Sequence, residues 1–168
     1  MRANNHFLDF GLLGSKSVPA MLTRYGYVED AMKMITKTEA PSWGYWVETM
    51  GYTTLPETWT LSPQFRDASL NHVFMGDVSA WMMNQLAGIN YDAAGPGFRH
   101  ILITPHFVEG MDWAKGEYHS VRGLISSQWK REGGKVTLTV TIPSGCTADI
   151  RVGDKTETVG SGTYVNTY

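Results

Sequence analysis

Residues 123–142 read GLISSQWKREGGKVTLTVTI, and this stretch decides the fold of the second half of the chain. Val136, Leu138, Val140 and Ile142 alternate with Thr, the period of a strand that buries one face. Glu132, Gly133 and Gly134 supply a turn, so residues 123–130 and 135–142 form a hairpin. Working outward, residues 100–104 (HILIT) are a short apolar strand stopped by Pro105. Residues 147–152 and 156–159 add two more strands. Several short strands with Gly-rich turns predict a small antiparallel β-sandwich over residues 98–168.

Residues 1–97 follow a different grammar. Leu12, Leu13, Val18, Met21 and Leu22 recur near helical spacing, with Pro19 expected to kink the segment or start a new turn. Gly26 is placed to end it. Val28, Met32 and Ile35 continue as a second helix, with Glu29 and Asp30 in the first turn, where the helix dipole favours them. Helix, Gly turn and helix make an αα-hairpin. A third helix is predicted over residues 69–86, capped by Ser69, with Val73, Phe74, Val78, Trp81, Met82 and Leu86 as its apolar face. Between the second and third helices, residues 38–68 carry Pro41, Pro56 and Pro63 and the aromatics Trp43, Tyr45, Trp46, Tyr52, Trp59 and Phe65. Unstructured loops of this length are uncommon in compact domains and are often functional.

The 168 residues are 42% hydrophobic and 18% charged, which fits a folded protein rather than a disordered tail. The formal net charge of −2 gives no electrostatic drive toward nucleic acid or an anionic membrane. No apolar run approaches the roughly 20 residues of a membrane-spanning helix. The lone Cys146 excludes an intrachain disulfide framework and a CxxC metal knuckle. No pair among His6, His72, His100, His106 and His119 has HxxxH spacing, so neither a metal site nor a cofactor is expected. No GxSxG, P-loop or GxGxxG motif supports acyl transfer, phosphoryl transfer or dinucleotide binding. The opening MRANNHFLDF lacks the order of a secretory signal, which leaves a cytoplasmic chain or a piece of something longer.

Carboxylates are the remaining chemistry. Glu29, Asp30, Glu132, Asp154 and Glu157 read as solvated surface groups. Glu57 differs: it sits in residues 53–59, TTLPETW, between a proline and a tryptophan. A carboxylate beside an indole suits a sugar, since the ring stacks on the apolar face and the carboxylate takes a proton from water or a hydroxyl. A loop Glu that caps a turn is the plainer alternative. Six Trp and eight Tyr accord with sugar binding and equally with a loop-rich aromatic core.

The run Gly51-Tyr52-Thr53-Thr54-Leu55-Pro56-Glu57-Thr58-Trp59 resembles the "GATT-W-E-W" segment of the bacterial α-L-rhamnosidases of glycoside hydrolase family 78. Residues 6–16 (HFLDFGLLGSK) resemble that family's "H-D-G-GT" helix start, and residues 41–45 (PSWGY) its "PSW-Y" loop. Ser69-Leu70-Asn71-His72 with Phe74 and Gly76 resembles its "SLNH-FG" helix. Residues 97–105 (GFRHILITP) resemble the link into the C-terminal β domain. Gly116-Glu117-Tyr118, Gly123-Leu124-Ile125 and Trp129 resemble landmarks of that domain. The resemblance runs through nearly the whole chain in order.

The resemblance implies an α-then-β chain: the last helices of an (α/α) six-hairpin catalytic barrel in residues 1–97, incomplete, then a C-terminal β-sandwich in residues 98–168. It implies hydrolysis of a terminal α-L-rhamnosyl bond with inversion, which needs two carboxyl groups about 6.5–9.5 Å apart with a water between. Glu57 falls on the general base. His72 falls on a position that contacts the bound sugar, and Trp59 lies near the base as a sugar platform or as core. The partner is a rhamnose-containing glycoside or polysaccharide, together with the N-terminal part of the barrel. Pro56 stands where many relatives have a bulky aromatic, and residues 60–68 are irregular enough to be an insertion. The family's general acid lies upstream of the "H-D-G-GT" helix; Glu39 and Glu48 match no acid position. The expectation is therefore a segment that carries the base, lacks the acid and is inactive alone. The alternative is a non-catalytic truncated relative or a carbohydrate-binding module using Trp113, Tyr118 or Trp129, of which Trp129, among alternating strand residues, reads as core.

Overall fold

A computed structural model describes residues 2–59 and 67–168 of the chain. Pro63, Phe65 and most of the stretch read as an insertion lie outside the described residues. The chain forms two compact units, Met1–Trp81 and Met82–Tyr168, the first helical and the second built of strands. The change of residue pattern near Phe98 falls inside the second unit.

The helical unit opens with the expected αα-hairpin, α1 (Leu12–Arg24) and α2 (Val28–Thr36). Gly26, at φ +83°, ends α1 as read. Tyr27 N–H donates to Leu22 O at 2.8 Å and Gly26 N–H to Thr23 O at 2.9 Å, which satisfies the last carbonyls. Pro19 lies inside α1 and does not start a new helix. The helix runs through it, and its buried face is Ser15, Pro19 and Thr23 rather than the leucines. Thr23 Oγ1 donates to Pro19 O at 2.9 Å and accepts the Trp81 indole N–H at 2.9 Å, so the small polar face is satisfied internally. Leu13 is left 78% exposed and Met21 43%. On α2 the buried set is Asp30, Ala31, Met34 and Ile35.

The third helix is shorter than predicted. α3 spans Asp77–Trp81 and continues into a wider turn over Met82–Leu86, which begins the second unit. Residues 69–72 are taken by tertiary pairing instead. Glu57 N–H donates to Ser69 O and His72 N–H to Leu55 O, each at 2.8 Å. Ser69 does not cap a helix; its Oγ accepts the Asn71 N–H at 3.2 Å in a local turn. Val73 and Phe74 consequently face solvent, and only Val78, Trp81 and Leu86 of the predicted apolar face are buried.

In the second unit, β1 (Ile89–Tyr91), β2 (His100–Ile103), β6 (Thr147–Val152) and β7 (Lys155–Val159) form one sheet in that order. The second sheet has the order β3 (Trp113–Ser120), β4 (Gly123–Glu132), β5 (Lys135–Ile142), β8 (Gly162–Thr167). All pairings are antiparallel except β2 with β6. The predicted hairpin is β4–β5, closing with Glu132 opposite Lys135 around Gly133 and Gly134, at φ +56° and +78°. Two successive positive φ values match the strand twist in a two-residue loop. Val136, Leu138, Val140 and Ile142 are buried as the alternation requires, and Ile101, Ile103, Ile125, Ile150 and Trp129 join them in the sandwich core. Three strands were not read from the sequence: β1, β3 and β8.

Candidate active site

The site is a pair of facing backbone segments in the helical unit, residues 54–57 and 69–72. Besides the two backbone bonds above, Thr54 Oγ1 donates to Leu70 O at 2.7 Å. The Glu57 carboxylate joins the same pairing, its Oε2 accepting the Ser69 N–H at 3.0 Å. That bond orients the carboxylate yet uses one of the roughly four acceptor positions such a group offers. Glu57 is half-buried, and Pro56 beside it is buried.

His72 is brought onto the segment that faces Glu57. Its ring packs edge-on against Phe74, centroids 5.4 Å apart. Its Nδ1 accepts the Phe74 N–H at 3.3 Å. In the neutral ring that acceptor role places the proton on Nε2, which makes Nε2–H a donor.

Trp59, two residues past Glu57, is held by an aromatic cluster. It stacks on Trp46 at 4.6 Å, meets Trp43 edge-on at 4.8 Å and lies 6.2 Å from the Phe10 ring. Its indole N–H donates to Phe10 O at 2.7 Å, while Trp46 donates to Trp59 O and Trp43 to Met75 O. A buried indole needs such a partner for its N–H. The long aromatic segment is thus ordered by indole bonds to backbone carbonyls, one within it at Trp59 and two beyond it at Phe10 and Met75. Of the other nearby carboxylates, Glu48 is exposed on the turn Tyr45–Thr49 and Glu39 pairs with Lys37 at 2.9 Å.

One cluster was missed. Asp30, read as a solvated first-turn charge, is buried. It accepts Arg2 Nη2 at 2.8 Å and Arg2 Nε at 3.1 Å, and lies 2.6 Å from His6 Nε2. The Arg2 guanidinium, and after it the His6 ring, hold the Asp30 carboxyl well below the usual carboxylate range. The cluster fastens the segment before α1 onto α2. His6 was noted in the sequence, but nothing local pointed to a partner 24 residues away. Among the described residues no three His, Cys, Asp or Glu side chains converge as metal ligands, and no helix is long and apolar enough to cross a membrane.

Comparison with known proteins agrees with this layout. Residues 1–86 match the bacterial alpha-L-rhamnosidase 6 hairpin glycosidase domain, and residues 88–165 the bacterial alpha-L-rhamnosidase C-terminal domain. An alpha-L-rhamnosidase of Streptomyces avermitilis is 30% identical over 156 residues, 89% of this chain and 15% of that protein. The structure of the Streptomyces avermitilis alpha-L-rhamnosidase complexed with L-rhamnose matches with a TM-score of 0.88 at 27% identity, over 99% of this chain and 18% of that one. That of the native enzyme from Aspergillus terreus matches with a TM-score of 0.90 at 26% identity, over 99% and 20%. The chain therefore spans about a sixth of the length of the curated relative.

Proposed function

We propose a function from one premise: the chain belongs to the bacterial alpha-L-rhamnosidase family. In our reading it is the part of an inverting α-L-rhamnosidase that carries the general base, and Glu57 is that base. The carboxylate takes a proton from a water as that water attacks the anomeric carbon of a terminal rhamnosyl group. A second carboxyl group, supplied from outside these residues, protonates the leaving oxygen. His72 donates from Nε2 to a hydroxyl of the bound sugar. Trp59 acts from the aromatic cluster, where it fixes the loop two residues beyond the base. With one carboxyl group of the pair, the chain alone is inactive.

The exposed stripe of α1 supports a helical partner. Leu13 and Met21 of α1, and Tyr25 just past its end, lie outward among Lys16, Ser17 and Arg24, while Ser15, Pro19 and Thr23 are buried. An apolar helix face in water calls for a neighbour, and the remaining hairpins of a six-hairpin domain are that neighbour in this reading.

The observation that carries the assignment is the Glu57 carboxylate, oriented by the Ser69 N–H on the segment that also bears His72. The test is Glu57→Gln in an enzyme that joins this chain to its helical partner. The expected loss in kcat is roughly 10²–10⁴-fold, the usual weight of general-base catalysis. Azide, which needs no deprotonation, should restore turnover and give the rhamnosyl azide of inverted configuration. Unchanged kcat, or an azide product of retained configuration, would remove Glu57 from this role.

A further inference from the structure

We propose that the outer face of the β3-β4-β5-β8 sheet carries a non-catalytic binding site for a neutral saccharide chain, with Trp113 as its platform. Trp113 is 64% exposed at the start of β3. The chain's five other tryptophans are all absorbed by the fold. Trp43, Trp46, Trp81 and Trp129 are buried, and Trp59 is stacked. Each of the five donates its indole N–H to a carbonyl or hydroxyl of the protein. Among the described residues Trp113 has neither a ring contact nor an N–H partner. Exposing so large an apolar ring forgoes hydrophobic stabilisation, and nothing in the packing of the unit requires it.

The strand register shows what surrounds the ring. Trp113 lies opposite Lys130, which lies opposite Thr137; the next row on the same face is Lys115, Gln128 and Thr139. These residues line a shallow depression of about 380 Å³. Neighbouring strands are about 4.8 Å apart and successive same-face residues about 6.8 Å apart, so amide and hydroxyl groups flank the indole in two directions within reach of one or two sugar rings. The chemistry is that of a sugar: one flat apolar surface with hydrogen-bonding groups at its rim.

Charge separates this ligand from an anion. Lys115 pairs with Glu117 at 2.9 Å, and Lys130 pairs with Glu132. Both cations beside the ring are paired within the sheet, so neither is left free for an anion. A protein partner fits less well. The core of a protein interface is a cluster of apolar anchors, whereas the ring's neighbours across β4 and β5 are polar. The site lies on a different unit from Glu57 and does not depend on the catalytic reading.

The experiment follows the indole N–H resonances of the full 168-residue chain, assigning Trp113 by its loss in W113F. The chain is titrated with an oligorhamnoside, with xylohexaose and, as a polyanion, with heparin. A neutral oligosaccharide should shift the Trp113 resonance saturably. W113A should weaken binding about tenfold or more, equivalent to about 1.4 kcal/mol. Gln128→Ala, which keeps the ring, should weaken it less, and E57Q should leave it unchanged. The proposal is overturned if neither neutral oligosaccharide shifts Trp113, if W113A with an intact amide spectrum binds as tightly, or if heparin alone produces the shift. A shift abolished by E57Q would place the sugar at the catalytic site instead.

Discussion

In the β unit the core is closed by the unit's own strands: Ile101, Ile103, Ile125, Leu138 and Ile150 are all buried, and on β5 Lys135, Thr137, Thr139 and Thr141 occupy the alternate positions. In the helical unit α1 does the reverse. It turns Ser15, Pro19 and Thr23 inward, with Ser15 Oγ donating to Leu12 O and Phe74 O and Thr23 Oγ1 accepting from Trp81, and leaves Leu13, Met21 and the following Tyr25 in water. A sheet sandwich can bury its apolar face with eight short strands. A hairpin of two helices cannot, because each helix has more than one side to cover. The difference leads to the expectation that the β unit folds by itself, whereas the helical unit, which matches the 6 hairpin glycosidase domain, needs neighbouring helices.

Separating the units tests that contrast most severely. Residues 82–168 produced alone should unfold in a single cooperative transition and give a dispersed amide spectrum. Residues 1–81 alone should associate, or exchange their α1 amides rapidly. A cooperative, monomeric helical unit beside an unfolded β unit would reverse the argument.

Next in size is the contrast between two tryptophans of one sheet. Trp129 is 1% exposed, donates to Leu86 O at 2.8 Å and packs on Phe107. Trp129→Ala should lower the stability of residues 82–168 by about 3–5 kcal/mol in urea denaturation. Trp113→Ala, at an exposed position, should change it by no more than about 0.5 kcal/mol. Equal losses would mean that Trp113 is part of the core and not a free platform.

The same contrast explains what could be read from the residues. The β4–β5 hairpin was legible because alternation and a Gly-Gly turn are local signals. β3 was not, because Gly116 interrupts its pattern. That glycine is required by packing: a Cβ there would meet Ala87 Cβ and Met83 sulfur at 2.6 Å. The helix predicted over residues 69–86 formed only from Asp77, because backbone bonds of residues 69–72 to Leu55 and Glu57 override local propensity at its start. Glu57 itself stood out by residue type and neighbours. The Ser69 N–H that orients it, and the Arg2–Asp30–His6 cluster, are long-range pairings that no periodicity announces.

That cluster gives a smaller, pH-dependent effect confined to the helical unit. The Asp30 carboxyl is depressed in the folded chain, so its stabilisation is present above the unfolded carboxylate value of about 3.9 and is lost as pH falls toward the folded value. Asp30→Asn should destabilise the helical unit by about 1–3 kcal/mol at neutral pH, and the gap should begin to narrow below about pH 4. The β unit should show no such difference. A gap that persists undiminished in acid would mean that Asp30 acts through shape and not through its charge.

The smallest expected effect is the most telling. Leu13→Glu and Met21→Glu place charges on the outward side of α1, where the chain itself has nothing to lose. In the 168-residue chain the pair should shift stability by no more than about 0.5 kcal/mol and should reduce association, since the apolar stripe would be gone. In an enzyme that supplies the remaining hairpins the same two changes should be strongly destabilising, because each would bury an unpaired carboxylate. Melting the pair of variants in both contexts therefore reads the partner directly. Destabilisation in the larger protein alone means that α1 is covered there by a neighbouring helix. Equal, small shifts in both would leave the stripe a solvent-facing surface and return the helical unit to the status of a complete layer.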